Sequence, residues 1–535
     1  MPNLNTLLDD HVVLKYECLD RMFLNGYSPK LQTPSQLGWF LCQHRGEEIP
    51  RYALLGEMTR DLVAAVGRLA EEQSIPVIHF ERGQRKEAVA APYFAAAKHE
   101  GVVLIGVAQE KAKVFRAGNK AARVQGQYSA TRASAFVNHY YFYIWDQDFG
   151  PSFIKICSFA PWSIRVWLNG HEWVKRQLEH QRIGYQPLDN GFAAVDDPAA
   201  LQQTADRLSA ADVQSYFDRW ISRLPYPFTS ADLGAGYVHQ LSILQLEVSR
   251  TEVFDRPLHG RQFFEEVIRD QLDLGRPERM QLLFNKRLPK HKGEGPFRTR
   301  IFCADVDPSI HIQHLRTGVK QYWKCDRALR TETTINDAHD FRVGKRLANL
   351  DTLRQIGQGI NHRLLELERQ AQHCTPAAST FEALVLPTGD ADHRAPALRF
   401  GDPRVVALFA ALCDFRWLHQ GLRSRELRPL VEHQLARPYG IRQASYDLRG
   451  LQRKGLIQRI PNTNRYLITT LGRQMTLLCS KLYSRAICPA ISQLQDPLAL
   501  SPLALAWRRF DLLADSLLAA LNLAPKTPPK LGSFV

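Results

Sequence analysis

Residues 136–145 read Phe-Val-Asn-His-Tyr-Tyr-Phe-Tyr-Ile-Trp, a run of aromatic and β-branched side chains. Such side chains favour a pleated, half-buried surface, so the run predicts a strand. It ends in the turn sequence Asp146-Gln-Asp-Phe-Gly150. Strands from Phe153 to Phe159 and from Ile164 to Leu168 follow, then a helix from Glu172 to Gln181. Sequential strands followed by a helix imply a meander packed against that helix.

Upstream, His11 to Tyr27 alternates apolar and polar residues and predicts strand, closing at Asn25-Gly26. Leu37 to Cys42 and Met58 to Gln73 read as helices, the second with Leu62, Val66 and Leu69 at helical spacing. Pro76 to Phe80 and Val102 to Ala108 suit buried strands, with a helix from Lys86 to His99 between them.

Downstream, residues Asp196 to Arg223 read as helices, with Ser209 as an N-cap. Ser230 to Val253 and Gly260 to Leu272 are expected as further helices. Met280 to Ile335 is β-rich, and a long helix spans Asp351 to Gln372. The expected fold class is a multidomain α+β protein, with an α/β amino-terminal half, a helical middle, a basic β-rich region and a carboxyl-terminal winged helix. Its divisions fall at 1–195, 196–276, 277–373, a linker at 374–398, 399–500, and a terminal helix and frayed tail at 501–535.

The carboxyl-terminal pattern is the most specific. Arg404 to Leu418 is an apolar-periodic helix, and Ser424 caps a second. Gln443 to Lys454 forms a third, with Tyr446, Leu448 and Leu451 assigned to its buried side. Strands Gly455 to Ile460 and Arg465 to Thr469 flank the tip Pro461-Asn-Thr-Asn464. Residues Arg404 to Leu482 resemble the winged-helix families of bacterial regulators. That resemblance implies groove or phosphate contacts from Arg442, Gln443, Arg449, Gln452 and Arg453, and wing contacts from Asn462, Asn464 and Arg465.

Bulk properties agree with a polyanionic partner. The 535 residues carry 69 Lys and Arg against 54 Asp and Glu, a formal net charge of +15. Such a field favours DNA, and charge alone also permits RNA. No apolar run of about 18 residues is present, and Met1 to Asp10 lack a signal-peptide pattern, so a cytoplasmic protein without a membrane partner is expected. Nine scattered Cys, none in a CxxC pair, fit reduced thiols better than a disulfide framework or zinc site. A phosphate-binding P-loop, a dinucleotide glycine fingerprint, HExxH and GxSxG are all missing from the sequence, which argues against a nucleotide-driven motor or a nicotinamide enzyme.

Cations concentrate between Lys286 and Arg330: Lys286, Arg287, Lys290, Lys292, Arg298, Arg300, Lys320, Lys324 and Arg330, with Tyr322 and Trp323 among them. Cations hold phosphates and flat rings stack bases, so this region is expected to be a nucleic-acid platform. Its other reading is a solvated hairpin. Lys320-Gln-Tyr-Trp-Lys with Leu329-Arg-Thr-Glu332 is similar to phage and plasmid replication initiators. His311 and His314 enclose Ile-Gln rather than one hydrophobe, so the metal signature of the HUH endonucleases is not met.

Phosphodiester cleavage commonly needs carboxylates that hold a divalent ion. Asp146, Asp148 and Glu332 are the catalytic candidates, with Mg²⁺ bound by Asp146 and Asp148; Asp189 is a further carboxylate. Plain turn chemistry is the other reading of Asp146 and Asp148. Glu110 and Lys113 read as a surface pair, and His139 and His171 as structural. Two functions follow: a DNA-processing protein of mobile-element or replication type that cleaves with a metal, or a non-enzymatic winged-helix regulator or nucleic-acid scaffold.

Overall fold

Long strands with two unlike faces build the main sheet of this chain. The computed structural model describes residues 4–48, 53–117, 130–273, 280–284, 298–304 and 307–372, then 382–483 except 383, 388–394, 400–401, 415, 418–420 and 462, together with 509 and 513. It is a mixed α/β chain that divides into two compact units, one spanning most of residues 1–369 and the other most of 370–535.

The strands are β1 (Val12–Tyr27), β2 (Val77–His79), β3 (Gly101–Ala117), β4 (Ala130–Asp146), β5 (Gly150–Cys157), β6 (Ile164–Asn169), β7 (Tyr185–Pro187), β8 (Phe192–Val195), β9 (Gln240–Phe254), β10 (Met280–Phe284), β11 (Arg298–Ala304), β12 (Asp307–His314), β13 (Thr317–Lys324), β14 (Ala328–Ile335), β15 (Ile457–Arg459) and β16 (Tyr466–Ile468). Twelve of them form one sheet in the order β10-β11-β12-β13-β14-β9-β1-β6-β5-β4-β3-β2. All neighbours are antiparallel except β10 with β11 and β2 with β3.

The expected meander is present as β4, β5 and β6, followed by the helix Gly170–His180. One sheet face is core: Met22, Leu24, Phe142, Ile144, Ile154, Val166, Leu168, Leu246 and Val248 are buried in a single apolar cluster. The helix Ala53–Glu72 buries Leu55, Met58, Leu62 and Val66 in that cluster, and the helix Ala210–Ile221 adds Val213, Tyr216, Phe217 and Trp220. The helix Leu350–Gln372 joins β9 and β14 through Asn361, which donates to the Val248 carbonyl (3.0 Å) and accepts from Thr333 (2.6 Å).

The expected helix Ser230 to Val253 is corrected. Only Ser230–Gly234 is helical, capped by Thr229 and Asp232, and Gln240–Phe254 is a strand near the middle of the sheet. Leu241, Leu244 and Val248 mimic a helical stripe. The deciding pattern is period two, with Leu246 and Val248 toward the core and Gln245, Glu247 and Ser249 away from it.

In the second unit, helices Pro403–Leu412, Ser424–Leu435 and Ile441–Arg453 precede the β15–β16 pair and the helix Thr470–Leu482. Ala444, Leu448 and Leu451 are the buried positions of the third helix, while Tyr446 is 52% exposed. Tyr446 lies two residues from both Ala444 and Leu448, which places it on another side of the helix. Ser424 is the first residue of its helix, and Arg423 takes the cap position.

Candidate metal centre

A defect in strand pairing creates the site. β1 pairs with β9 through Leu19–Val248 and then Met22–Leu246, so Asp20 and Arg21 together face Glu247. A bulge of this kind re-aims side chains. On the same sheet face, β14 places Glu332 opposite Ser249 and Thr334 opposite Glu247, while β13 places Lys320 opposite Glu332 and Tyr322 opposite Arg330.

Carboxylate oxygens of Asp20, Glu247 and Glu332 lie within 4.8 Å of one another, and all three residues are buried. Arg330, fully buried, reaches Asp20 Oδ2 with Nη2 at 2.6 Å and Glu332 Oε1 with Nε at 2.8 Å. Its Nη1 donates to the Asn190 carbonyl. Asn190 Nδ2 donates to Asp20 Oδ1 (2.5 Å), and Tyr322 Oη donates to Glu332 Oε1 (2.7 Å).

Glycine permits the cover over this corner. A Cβ on Gly170 would lie 2.0 Å from the Leu19 carbonyl oxygen, so only glycine lets the helix start press onto the bulge. The next residue, His171, is wholly buried with Nδ1 3.5 Å from Asp20 Oδ1, and that nitrogen has no hydrogen-bond partner.

The electrostatics follow from burial and sign. Burial opposes ionisation of Asp20 most strongly, but the Arg330 guanidinium, His171 and Arg21 together outweigh it and hold the carboxyl well below its ordinary range. Burial pushes Glu247 up to about 8, and the charges of Glu332 and Asp20 push the same way. Burial, with Arg330 nearby, lowers His171 to about 4, so it is neutral near pH 7. Arg330 serves Asp20 and Glu332 together, and Glu247 is left largely protonated near pH 7. Glu247 is the least engaged member, with Thr334 Oγ1 at 3.4 Å and Arg21 Nε at 3.8 Å.

Oxygen-only carboxylate ligands suit a hard divalent cation such as Mg²⁺ or Mn²⁺. The buried neutral His171 nitrogen directed at Asp20 is consistent with such a centre. Bound there, a divalent ion would supply Lewis acidity and charge neutralisation. Among the described residues, one further group has metal-ligand proximity: His11, Asp255 and His259.

Of the sequence-predicted catalytic residues, Glu332 lies in the cluster. Asp146 and Asp148 do not, so the three acids named from the sequence do not form one site. β4 is five strand spacings from β14, about 24 Å away. Asp146 is fully buried and accepts from Arg219 Nη2 and Trp220 Nε1 at 2.6 Å each, and from the backbone N–H groups of Asp148 and Phe149 at 2.9 Å. Asp148 is bound by Arg219 at 3.0 Å. These acids tie the turn to the helix Ala210–Ile221. Asp189 instead pairs with Lys324 at 3.0 Å.

Asp20 and Glu247 were missed. The one local signal was an acid interrupting the apolar run Cys18-Leu-Asp-Arg-Met22; Glu247 lay in a segment read as helix.

The predicted platform divides. Lys320 and Tyr322 are half-buried on the carboxylate face. Arg330, Trp323 and Lys324 are buried, and Trp323 packs on Phe254 with ring centroids 5.6 Å apart. That corrects these three as surface nucleic-acid contacts, because sheet neighbours claim their side chains. Lys286, Arg287, Lys290 and Lys292 lie outside the described residues, as do the side chains of Arg298 and Arg300. Arg442, Gln443, Arg449, Gln452 and Arg453 are exposed along one helix, Asn464 is exposed, Arg465 is half-buried, and Asn462 lies outside the described residues. Glu110 pairs with Lys86 and with Lys155 (2.8 Å), correcting its expected pairing with Lys113.

No family model matches this sequence, and no curated protein matches it. Among solved structures, a rolling circle replication initiator protein from Geobacillus stearothermophilus is similar over 72% of this chain and 93% of its own, at 10% identity and a TM-score of 0.20. A likeness this distant defines neither a shared fold nor a shared site. No helix among the described residues is long and apolar enough to cross a membrane.

Proposed function

We propose that this chain is a nucleic-acid-processing protein of replication or mobile-element type that cleaves phosphodiester bonds at the Asp20–Glu247–Glu332 centre. The observation that carries this reading is the convergence of three buried carboxylates from β1, β9 and β14 on one point of a basic protein. Asp20, Glu247 and Glu332 would hold the divalent cation. Arg330 and Asn190 orient Asp20, and Tyr322, kept protonated by burial and by the charge of Glu332, donates to Glu332 and fixes its rotamer. Arg21, whose side chain is 55% exposed, and Lys320 stand at the rim, where a phosphate would meet them.

Residues 399–500 act as a winged-helix domain that selects duplex sites, with Arg442, Gln443, Arg449, Gln452 and Arg453 toward DNA. Their exposure along the outer side of the helix Ile441–Arg453 supports this part. Incubating the full chain with end-labelled single- and double-stranded DNA, in Mg²⁺, Mn²⁺ or EDTA, tests the proposal. Cleavage that needs the cation and disappears in Glu247→Gln and Asp20→Asn supports it. A shifted band with no cleavage under any cation would leave the protein a binder.

A further inference from the structure

The sheet has a second face, and its amino-terminal half carries a pattern the carboxylate centre does not use. Register places Tyr143 opposite Phe153, Phe153 opposite Trp167, and Trp167 opposite Phe23, so one aromatic row crosses β4, β5, β6 and β1. Residues between them, Ile144, Ile154, Val166, Met22 and Leu24, point the other way and are buried in the core. Phe153, Trp167 and Phe23 are only half-buried. The Phe153 and Trp167 rings lie 6.0 Å apart and within 4° of parallel.

The adjacent row is polar and cationic: Lys155 stands directly opposite Arg165, and Arg165 opposite Asn25. Like charges paired across strands repel unless an anion lies between or beside them. Glu110 meets Lys155 at 2.8 Å. Arg165 has no carboxylate partner among the described residues; its recorded hydrogen bond is to the Ile164 carbonyl at 3.3 Å, and burial disfavours its charge. A half-buried guanidinium next to flat rings is a place for a phosphate beside stacked bases.

The same face continues to the metal centre. Phe23 pairs with Gln245, and Glu247 is two residues further along β9 on the same side, beside Arg21.

We infer that the Phe153–Trp167–Phe23 row, with Arg165 and Lys155, is a stacking platform that receives a single-stranded polynucleotide and leads it to the carboxylates. The inference deepens the proposed cleavage function and rests on it for direction, while binding itself is independent of catalysis. Cationic side chains select a polyanion over an apolar peptide, and a half-buried aromatic row across three strands suits unpaired bases rather than a duplex.

The test is fluorescence anisotropy of labelled dT12 and rU12 with the full chain in EDTA, where no cleavage occurs. Trp167→Leu should weaken binding about 10-fold or more, and Trp167→Phe should retain most of it, as expected for stacking. Arg165→Gln should weaken binding about 5-fold and lower the salt slope by roughly 0.7, one phosphate contact. Whether dT12 or rU12 binds more tightly identifies the natural strand. If Trp167→Leu and Arg165→Gln melt like the wild type yet bind both oligonucleotides within 2-fold of it, the platform is refuted. It is equally refuted if the wild type binds neither. Glu247→Gln separates the two readings. Intact binding by that variant, with loss through Trp167→Leu, supports the platform even where wild-type cleavage is never seen. Cleavage with no effect of either platform variant on affinity leaves the metal centre standing and removes the platform.

Discussion

Replacing Arg330 with methionine keeps much of the side-chain volume and removes the one guanidinium inside the carboxylate cluster. Arg330 and Asp20 are both fully buried and 2.6 Å apart, with Glu332 2.8 Å from Nε. At an effective dielectric constant of about 20, unit charges roughly 3 Å apart attract by roughly 5 kcal/mol. Desolvation cancels much of that in the intact pair, but stranding the partner exposes the full penalty. Arg330→Met should therefore cost about 3–5 kcal/mol at neutral pH. In the wild type, the lowered Asp20 contributes stability above its unfolded value of 3.8, and that contribution is lost as pH falls through the lower folded value. In the variant that contribution is gone and burial favours protonated carboxyls. Its stability should recover as pH is lowered from about 7 to about 5, narrowing the gap. Urea unfolding of both proteins at several pH values measures this. Adding Asp20→Asn to the variant should restore about 1–3 kcal/mol relative to additivity. A gap below about 1 kcal/mol at pH 7, or one that is constant across this range, would refute the view that Arg330 neutralises the cluster.

Three more outcomes are expected. Glu247 titrates near 8 in the folded chain against an ordinary 4.5, so its protonated form adds stability below 4.5 that is lost as pH rises through about 8. Mg²⁺ or Mn²⁺ must displace that proton, so calorimetry should show affinity rising from about pH 7 and levelling off by about pH 9, with close to one proton released per ion at pH 7 and roughly half at pH 8, and Glu247→Gln should abolish the proton release. Asp146→Ala strands the buried Trp220 N–H and leaves Arg219 with Asp148 as its near partner, and should lower stability by about 1–3 kcal/mol in chemical denaturation while leaving the cleavage rate per folded molecule unchanged. In gel shifts with duplex DNA, Arg449→Ala should weaken binding across sequences and lower the salt slope by about 0.9 if it meets a phosphate; an unchanged slope removes that contact.

Much of the element order was readable because its signals are local. The aromatic run 136–145 is a strand on composition alone, and Gly455-Leu-Ile before Pro461-Asn-Thr-Asn464 marks a hairpin after a helix. Local signals failed where two periods overlap. Leu241, Leu244 and Val248 satisfy a helical stripe while Leu246 and Val248 satisfy a strand, and the neighbours β1 and β14 settle the matter in favour of the strand.

Chemistry was harder to see than architecture. Asp146 and Glu332 look alike on paper as acids beside aromatic strands. Neighbours separate them: Asp146 is taken up by Arg219, Trp220 and its own turn, whereas Glu332, beside Arg330 and Tyr322, also lies within 4.8 Å of two other acids. Strand propensities, caps and net charge are properties of neighbouring residues, so they stand in the chain before it folds. The meeting of Asp20, Glu247 and Glu332 depends on a bulge and on pairings between residues far apart in the chain, Leu19 with Val248 and Glu332 with Ser249, and such proximity exists only once backbone hydrogen bonds have brought those strands together.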